Sequence, residues 1–327
     1  MINDSIPVLY YHRIGSPDPV HLSISCRDFE KQLNFFKKNG YATVSVRELI
    51  DYLEGGRRLS GPAVCLTFDD GFIDNLLYAH PLLQKYGMKA ALFVATSLIR
   101  PENQARAASM VDFNTAHSLA RRNDLSHFLS QAELKSMVDS GVWEVLSHSH
   151  LHNQVFTSTD VTGFYPDTDN HWGIISAWGR SLEKGRWPVY SRGAGLVNRA
   201  WQPMLKPGKP GCDADDFSLI QESEEEFAAR VENDLRLSLQ KIEEISPGAC
   251  RAICWPWGKT TAKLENLARK VGFAAAMRTD TGANFPGMNC MQIHRFAIKK
   301  ADLLRFKLGL TLRRHSIFAR IYALFRN

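Results

Sequence analysis

Short apolar segments alternate with segments of helical periodicity along most of the chain, and this alternation limits the available folds more than any other feature. Segments 63–68 and 90–94 are apolar almost throughout, as in strands that are buried on both faces. Segment 75–86, between them, has helical spacing and is followed by Gly87, a residue that commonly ends helices. Because strands that alternate with helices of this length form parallel β/α units, the sequence predicts an α/β fold with either a barrel or an open sheet.

The basic charge of the chain is concentrated at its C-terminal end. The 327 residues carry a formal net charge of +6, but residues 299–327 contain eight Lys and Arg residues and a single acidic residue. Residues 1–298 therefore have a net charge of −1. Because this part of the chain has no excess positive charge, nucleic acid is not expected as a partner, since nucleic-acid-binding domains carry basic patches.

The location of the protein is predicted from its first residues and its cysteines. The amino-terminal residues lack the basic segment and the apolar stretch of a signal peptide, and no apolar run of about 18 residues predicts a membrane-spanning helix. The six cysteines contain no CxxC pair, and we predict no structural disulfide, as is usual in a reducing compartment. These features predict a cytoplasmic protein.

Segment 155–217 interrupts the alternation of strands and helices. It is rich in Gly and Pro and contains four tryptophans: Trp172, Trp178, Trp187 and Trp201. This aromatic content argues against disorder, and long insertions in compact domains are usually functional. The segment is predicted to be a substrate lid whose aromatic rings stack on sugar, or an insertion with a small core of its own. The two interpretations are compatible.

Two adjacent acids, Asp69 and Asp70, end the predicted strand 63–68 and are followed by Gly71. Catalytic residues of parallel α/β folds lie at the carboxyl ends of strands. Two carboxylates this close repel each other unless a proton or a metal relieves the repulsion. A divalent cation on one carboxylate would leave the other free to act as a base, whereas the simpler interpretation of Asp-Asp-Gly is an ordinary turn.

Three histidines, His148, His150 and His152, occur within five residues after another predicted strand. His148 and His152 have i, i+4 spacing, so one helical turn or a tight loop can direct both at one ion, whereas His150 is expected to point elsewhere. Neutral imidazoles suit zinc, iron, cobalt and nickel. Two imidazoles and one carboxylate leave positions open for water and substrate. A metal on Asp70, His148 and His152 is therefore predicted, with Asp69 placed to accept a proton from water.

A turn that contains two tryptophans, Trp255 and Trp257, follows a third predicted strand in the sequence Cys254-Trp-Pro-Trp-Gly258. Such a turn could form a wall of the site, and both tryptophans are candidates for substrate contact. The amide N–H of Trp257 could stabilise a developing oxyanion. Simple packing is the alternative interpretation.

These three motifs together resemble those of the NodB-type polysaccharide deacetylases, carbohydrate esterase family 4. The motifs are Thr-Phe-Asp69-Asp70-Gly, His148-Ser-x-x-His152 and Trp255-Pro-Trp257-Gly, and they follow predicted strands in the order found in the family. The resemblance implies a distorted (β/α) barrel with fewer than eight strands, formed by residues 1–298.

The resemblance also implies a role for each motif residue. Asp69 would be the general base, and Asp70, His148 and His152 would bind a divalent metal, zinc first, with cobalt, nickel or iron as alternatives. The implied products are a deacetylated amino sugar and acetate.

The chain departs from the family at two positions that matter for catalysis. Cys254 stands where many members have an arginine, two residues before the proline of the third motif. The late histidine motif that usually supplies the general acid is missing. His12 resembles the N-terminal acid of the poly-N-acetylglucosamine deacetylase branch, and His294 lies where the late motif would fall. Both are candidates for the general acid.

The C-terminal segment 299–327 is predicted to form a basic amphipathic helical tail. Such a helix can lie on an anionic membrane surface or pack against the barrel with its arginines in solvent. Its apolar face would consist of Ile317, Phe318, Ile321, Leu324 and Phe325.

Taken together, the sequence predicts a metal-dependent hydrolase that removes N-acetyl groups from an amino sugar in a glycan or glycan precursor, with metal-bound water attacking the amide carbonyl. The expected partner is an N-acetylated sugar or a lipid-linked glycan, and the enzyme is expected in the cytoplasm or at the inner membrane surface. The alternatives are an amidase or deformylase with a small or lipid-linked substrate, and a non-catalytic barrel that binds glycan.

Overall fold

The computed structural model describes residues 4–16, 22–167, 171–179, 182, 186–211, 213–280, 282–298 and 303–319. The strands are β1 (Val8–Tyr11), β2 (Arg13–Ile14), β3 (Ser23–Ile24), β4 (Ala42–Thr43), β5 (Ala63–Asp70), β6 (Ala90–Val94), β7 (Trp143–Ser147), β8 (Gln154–Tyr165), β9 (Trp187–Ala194), β10 (Trp201–Leu205), β11 (Phe217–Gln221), β12 (Ala252–Cys254), β13 (Ala275–Arg278), β14 (Ile293–His294) and β15 (Phe296–Ala297). The helices are α1 (Cys26–Lys38), α2 (Val46–Leu53), α3 (His80–Tyr86), α4 (Phe113–Ala120), α5 (Gln131–Asp139), α6 (Trp172–Trp178), α7 (Glu224–Ile245), α8 (Ala262–Val271) and α9 (Leu303–Arg313).

The main sheet is a nearly closed parallel barrel. Its strand order is β14-β13-β12-β7-β6-β5-β1-β15, with β4 paired to β5. All pairings in this order are parallel. The two ends of the order, β14 and β15, are separated along the chain by Arg295 alone, so one interrupted strand forms both edges of the seam. The interrupted strand counts as one strand of the barrel, beside the six others in this order. The prediction of a distorted barrel with fewer than eight strands is therefore confirmed.

Side chains of β5 alternate between two apolar cores, as the period of a strand requires. Leu66 and Phe68 pack into the core that contains residues of α1 and α3, whereas Cys65 packs into a second core with Cys254. All eight residues of β5 are buried, which explains why the strand is apolar apart from Thr67 and the two acids at its end. The same alternation places Asp69 on the side of Cys65, toward the interior of the barrel.

Serine residues cap the helices that surround the barrel. Ser45, Ser130 and Ser223 each accept a hydrogen bond from the third helical residue, whose glutamate side chain accepts in return from the serine N–H. These capping boxes satisfy N–H groups that helix geometry leaves unpaired. They fix where α2, α5 and α7 begin, and α7 carries a residue that contacts the candidate site.

The insertion folds as a second, antiparallel sheet. Its strand order is β11-β10-β8-β9, and α6 packs against it. Phe156, Ile174, Tyr190 and Phe217 belong to a separate apolar core in this unit. The insertion thus has the core that one interpretation of its sequence requires, while its role as a substrate lid stays a prediction.

The C-terminal helix α9 packs on the barrel through one face. Phe306 and Leu310 are buried, and Phe306 contacts the rings of Phe35 and Phe36 on α1. Residues 316–319 are also helical, whereas the predicted tail residues Ile321, Leu324 and Phe325 lie outside the described residues. Within the described part of the chain, no helix is long and apolar enough to cross a membrane.

Candidate active site

The two adjacent carboxylates lie at the carboxyl end of β5, where the chain turns sharply. Asp70 has a φ of 73° and Gly71 has a φ of 91°. A Cβ atom on Gly71 would lie 3.1 Å from Cγ1 of Val94, so glycine suits both the backbone angle and the space. The left-handed conformation of Asp70 is uncommon outside glycine and is typical of functional sites. This turn lets Asp69 and Asp70 line the same cavity.

Asp70 meets the two predicted histidine ligands in the interior of the site. Nε2 of His148 and Nε2 of His152 each lie 3.4 Å from Oδ1 of Asp70. One potential ligand atom from each of the three residues lies within 4.8 Å of the other two. The structure therefore brings the predicted ligand set together. His150 points away, with Nδ1 2.9 Å from Oγ1 of Thr96.

A backbone carbonyl orients the imidazole of His148. Nδ1 of His148 lies 2.8 Å from the carbonyl oxygen of Cys254, which can only accept a hydrogen bond. Nδ1 therefore carries the proton, and Nε2, on the side of Asp70, is left with its lone pair. Metal-binding histidines are commonly oriented by a contact of this kind.

The polar atoms at the centre fit a divalent cation. Both carboxylate oxygens of Asp70 and Nδ1 of His152 are buried without a hydrogen-bond partner among the described residues. Burial alone would raise the pKa of the Asp70 carboxyl, but the imidazoles of His152 and His117 hold it well below its usual range. Burial lowers the pKa of His152 well below its usual value, so this ring is neutral at pH 7. An ionised carboxylate beside a neutral imidazole is the donor chemistry that a metal such as zinc requires.

Asp69 is held by an arginine that the sequence did not suggest. Arg295 donates from Nη1 to Oδ1 of Asp69 at 2.8 Å and from Nη2 to Oδ2 at 2.9 Å, and both side chains are buried. Burial would raise the pKa of Asp69, but the guanidinium of Arg295 outweighs it and holds the pKa below its usual range. Asp69 is thus ionised, and it lies beside the ligand set, with a carboxylate oxygen within 4.8 Å of a ring nitrogen of His148.

The carboxylates open into a cavity of about 290 Å³. The residues that line it include the predicted residues His12, Trp255 and Trp257. His294 is not among the described residues that line the cavity; its Nδ1 lies 3.1 Å from Oδ1 of Asp280 instead. Neighbouring side chains of an extended segment point in opposite directions. Since the side chain of Arg295 points into the barrel, the side chain of His294 points outward.

Two tryptophans from distant parts of the chain form one side of the site. Trp257, which has a φ of 61°, stacks on Trp172 of the insertion with ring centroids 5.1 Å apart. The ring of Trp257 also lies 5.2 Å from that of His152. The third motif and the insertion therefore pack against each other beside the candidate metal ligands.

Three residues at the site were not predicted from the sequence: Arg295, His117 and Asp234. Arg295 directly follows the candidate His294, and the strand period was the available indication that it points inward. His117 is buried on α4 and its Nε2 lies 3.6 Å from Oδ2 of Asp70. Asp234, on α7, accepts from the backbone N–H groups of His150 and Leu151, both at 2.9 Å.

The fold and the donor set together define a parallel barrel with a candidate hydrolytic metal centre at the carboxyl ends of its strands. Residues 56–200 match the model of the polysaccharide deacetylase family. The resemblance predicted from the sequence motifs is therefore confirmed for this segment, which is similar to the polysaccharide deacetylases.

Curated relatives match a similar part of the chain. YxkH of Bacillus subtilis is 30% identical over 147 residues, which cover 45% of this chain and 43% of YxkH. A poly-beta-1,6-N-acetyl-D-glucosamine N-deacetylase of Staphylococcus aureus is 28% identical over 167 residues, which cover 46% of this chain and 50% of the relative. The chain thus spans about half the length of the curated relatives it matches.

Solved structures match nearly the whole chain. A de-N-acetylase from Aggregatibacter actinomycetemcomitans has a TM-score of 0.65 at 20% identity, over 94% of this chain and 100% of that chain. The deacetylase domain of BpsB from Bordetella bronchiseptica has a TM-score of 0.61 at 22% identity, over 90% of this chain and 96% of that chain. At these identities the likeness establishes the fold.

Proposed function

We propose that this protein is a metal-dependent hydrolase that cleaves the amide bond of an N-acetylated amino sugar and releases acetate. The observation that carries the proposal is the convergence of Asp70, His148 and His152 beside a second buried carboxylate, Asp69, in one cavity. The substrate named for the Staphylococcus aureus relative, a poly-N-acetylglucosamine, supports an N-acetylated glycan as the substrate class.

The proposed role of each residue follows from the position of its side chain. Asp70, His148 and His152 would hold a divalent metal, zinc first, which supplies a Lewis acid that polarises the amide carbonyl and activates water. Asp69 accepts the proton of the attacking water, because it is ionised and outside the ligand set.

We propose His12 as the general acid that protonates the departing amine. His12 lines the cavity together with Asp69, whereas His294 lies outside it. Trp255 and Trp257 line the same cavity and offer aromatic surface to a sugar ring.

Acetate release from N-acetylated glucosamine oligomers, after chelation and return of Zn²⁺, tests this proposal. Asp69→Asn should keep its metal and lose about 100-fold or more in turnover, because it removes the base but no ligand. Asp280→Asn is the matched control, since it removes a carboxylate outside the cavity. Full activity in Asp69→Asn would refute the base assignment.

The same assay separates the two candidate acids and the competing functions. His12→Asn should lower turnover strongly, whereas His294→Asn should leave it near that of the parent. The reverse result would reassign the acid. Activity on N-formyl substrates but not N-acetyl sugars would identify a deformylase or related amidase, and glycan binding without any acetate release would identify a binding protein.

We also propose that α9 contacts an anionic membrane surface, where a lipid-linked glycan would be the substrate. Leu304 is 76% exposed and Leu308 is 59% exposed, one helical turn apart on the face of α9 opposite Phe306. An exposed lysine, Lys307, lies beside this row on α9, and Lys38 is exposed at the end of α1, the helix on which α9 packs. An apolar row flanked by lysines complements an anionic bilayer surface. A cytoplasmic location for this surface is part of the proposal, and cell fractionation tests it.

A further inference from the structure

A third histidine, His117, contacts the carboxylate oxygen of Asp70 that His148 and His152 do not face. Its Nε2 lies 3.6 Å from Oδ2 of Asp70, whereas the other two imidazoles face Oδ1. His117 is fully buried, and neither of its ring nitrogens has a hydrogen-bond partner among the described residues. Oδ2 of Asp70 is likewise without such a partner.

Packing alone does not account for an imidazole at this position. The ring of His117 stacks on Trp172 with centroids 4.4 Å apart and meets Phe72, Phe113 and Phe128 at 5.5, 4.6 and 5.5 Å. A phenyl ring would satisfy this aromatic cage without burying two nitrogens, and a buried polar group without a partner costs stability. The carboxylate of Asp70 is the polar group in contact with the ring, so it accounts for the imidazole.

We infer that His117 is a positioning residue, which donates its Nε2–H to Oδ2 of Asp70 and leaves Oδ1 to face His148 and His152. This inference rests on the proposed metal site. Contacts of this kind are commonly long in the absence of the bound group and shorten when it binds. A carboxylate fixed at one oxygen has a single orientation toward the metal, and loss of such a partner commonly weakens metal affinity about 10- to 100-fold.

The arrangement also connects the insertion to the metal site. Trp172 begins α6 and is fully buried between His117 and Trp257. Arg121, at the end of α4, lies over the ring of Trp172 and donates to the carbonyl oxygen of His152 at 2.9 Å. Trp172 of the insertion therefore packs directly on His117, and Arg121 links this tryptophan to the backbone of His152.

Metal affinity of the full-length protein, measured with Zn²⁺ in competition with a chromophoric chelator, tests the role of His117. His117→Phe keeps the ring in its cage and removes the donor, so Kd should rise about 10- to 100-fold. His117→Gln keeps an N–H donor and should recover most of the affinity. Phe128→Leu is the packing control, because it alters the same cage without touching Asp70, and its Kd should equal that of the parent.

The absorption spectrum of the Co²⁺-loaded protein gives a readout that a merely structural role would not change. The d–d bands should shift in His117→Phe and remain as in the parent in Phe128→Leu. If His117→Phe does not fold, His117→Met, which also lacks an N–H donor, replaces it. If the variant without an N–H donor has a Kd within twofold of the parent value, His117 is not a positioning residue for the metal ligand. Failure of the parent itself to bind Zn²⁺ would refute the metal site of the proposed function, and this inference with it.

Discussion

At the scale of single residues, the most informative contact is the two-pronged pairing of Asp69 with Arg295. Each carboxylate oxygen receives one guanidinium N–H, and the pair is buried. The guanidinium keeps the carboxylate ionised despite burial, which a base requires, but it also lowers the pKa and so makes Asp69 a weaker proton acceptor. For the proposed base, the arginine thus favours the ionised form but lowers its strength as a proton acceptor.

Replacement of Arg295 should change the pH dependence of the reaction in a defined direction. In Arg295→Met the burial of Asp69 is no longer offset, so its pKa rises, and the acid limb of the kcat/KM profile should move to higher pH. At neutral pH, kcat/KM should fall about tenfold or more. Arg295→Lys retains the charge but not the two-pronged geometry. Its acid limb and its kcat/KM should lie between those of the parent and those of Arg295→Met.

The matched control for this experiment is Arg278→Met, which removes an arginine that pairs with Asp280 outside the cavity. Its acid limb should coincide with that of the parent. An acid limb that stays in place in Arg295→Met would show that Arg295 does not govern the ionisation of Asp69.

The sequence predicted residues of the site that lie in contiguous motifs and not those that reach it from elsewhere. Asp69, Asp70, His148 and His152 follow strands, and their spacing carries the information. Arg295, by contrast, meets Asp69 across 226 positions of sequence. A contact over such a separation depends on which strands become neighbours at the seam, and no local pattern encodes that.

At the scale of elements, α7 holds the histidine loop in place. Asp234 is buried and accepts from the N–H groups of His150 and Leu151. Ser238, one turn further along α7, pairs with Ser147 at 2.6 Å. Residues of the loop have left-handed backbone angles, with φ of 67° at Ser149 and 45° at the proposed ligand His152. The helix therefore stabilises a loop whose conformation is unfavourable on its own.

Loss of the Asp234 carboxylate should loosen the loop and weaken the metal site together. In Asp234→Ala two backbone N–H groups lose their buried acceptor, so the free energy of unfolding should fall by about 1–3 kcal/mol. Zn²⁺ affinity should fall about tenfold, since the loop carries two of the three proposed ligands. Denaturant unfolding of the metal-free protein and chelator competition measure the two effects.

Glu232→Ala is the control for Asp234→Ala, because Glu232 lies on the same helix and pairs with Lys270 at the surface. Neither stability nor affinity should change by much in this variant. If Zn²⁺ affinity is unaltered in Asp234→Ala, the loop keeps its conformation without its hydrogen bonds to α7.

The elements that the sequence did not predict are those stabilised by distant partners. The alternation of strands and helices predicted β5, β6, β7 and α7 because their own periodicity specifies them. Helix α4, which carries His117, has only eight residues and packs against α6 of the insertion. Such a short helix is stable in its tertiary setting rather than by its own sequence, so periodicity is a poor guide to it.

At the scale of the whole molecule, the barrel has one face for chemistry and a different surface for the proposed membrane contact. The carboxyl ends of β5, β7 and β12 converge on the cavity, whereas α9 packs against α1 on the flank of the barrel. The barrel class was predictable because its strands are apolar and regularly spaced. The second sheet was not, since its aromatic core is assembled from strands that pair only after the insertion has folded.

The membrane proposal predicts recovery of the full-length protein with vesicles that contain phosphatidylglycerol, but not with vesicles of phosphatidylcholine alone. Leu304→Glu combined with Leu308→Glu should abolish flotation, because two charges then replace the exposed apolar row. Met204→Glu combined with Ile220→Glu is the control, since these residues are each 53% exposed on the second sheet. Equal recovery of both double variants would contradict a membrane contact through α9.

The interrupted strand at the barrel seam has a consequence for the order in which the protein matures. Arg295 is synthesised long after Asp69, and it occupies the single position between β14 and β15. Until that last strand docks, the carboxylate of Asp69 has no counter-charge, and burial of a lone charge is strongly unfavourable. Until the seam closes, the carboxyl group of Asp69 must therefore be either hydrated or protonated. Closure of the barrel and pairing of the proposed base with its arginine would then be a single late event.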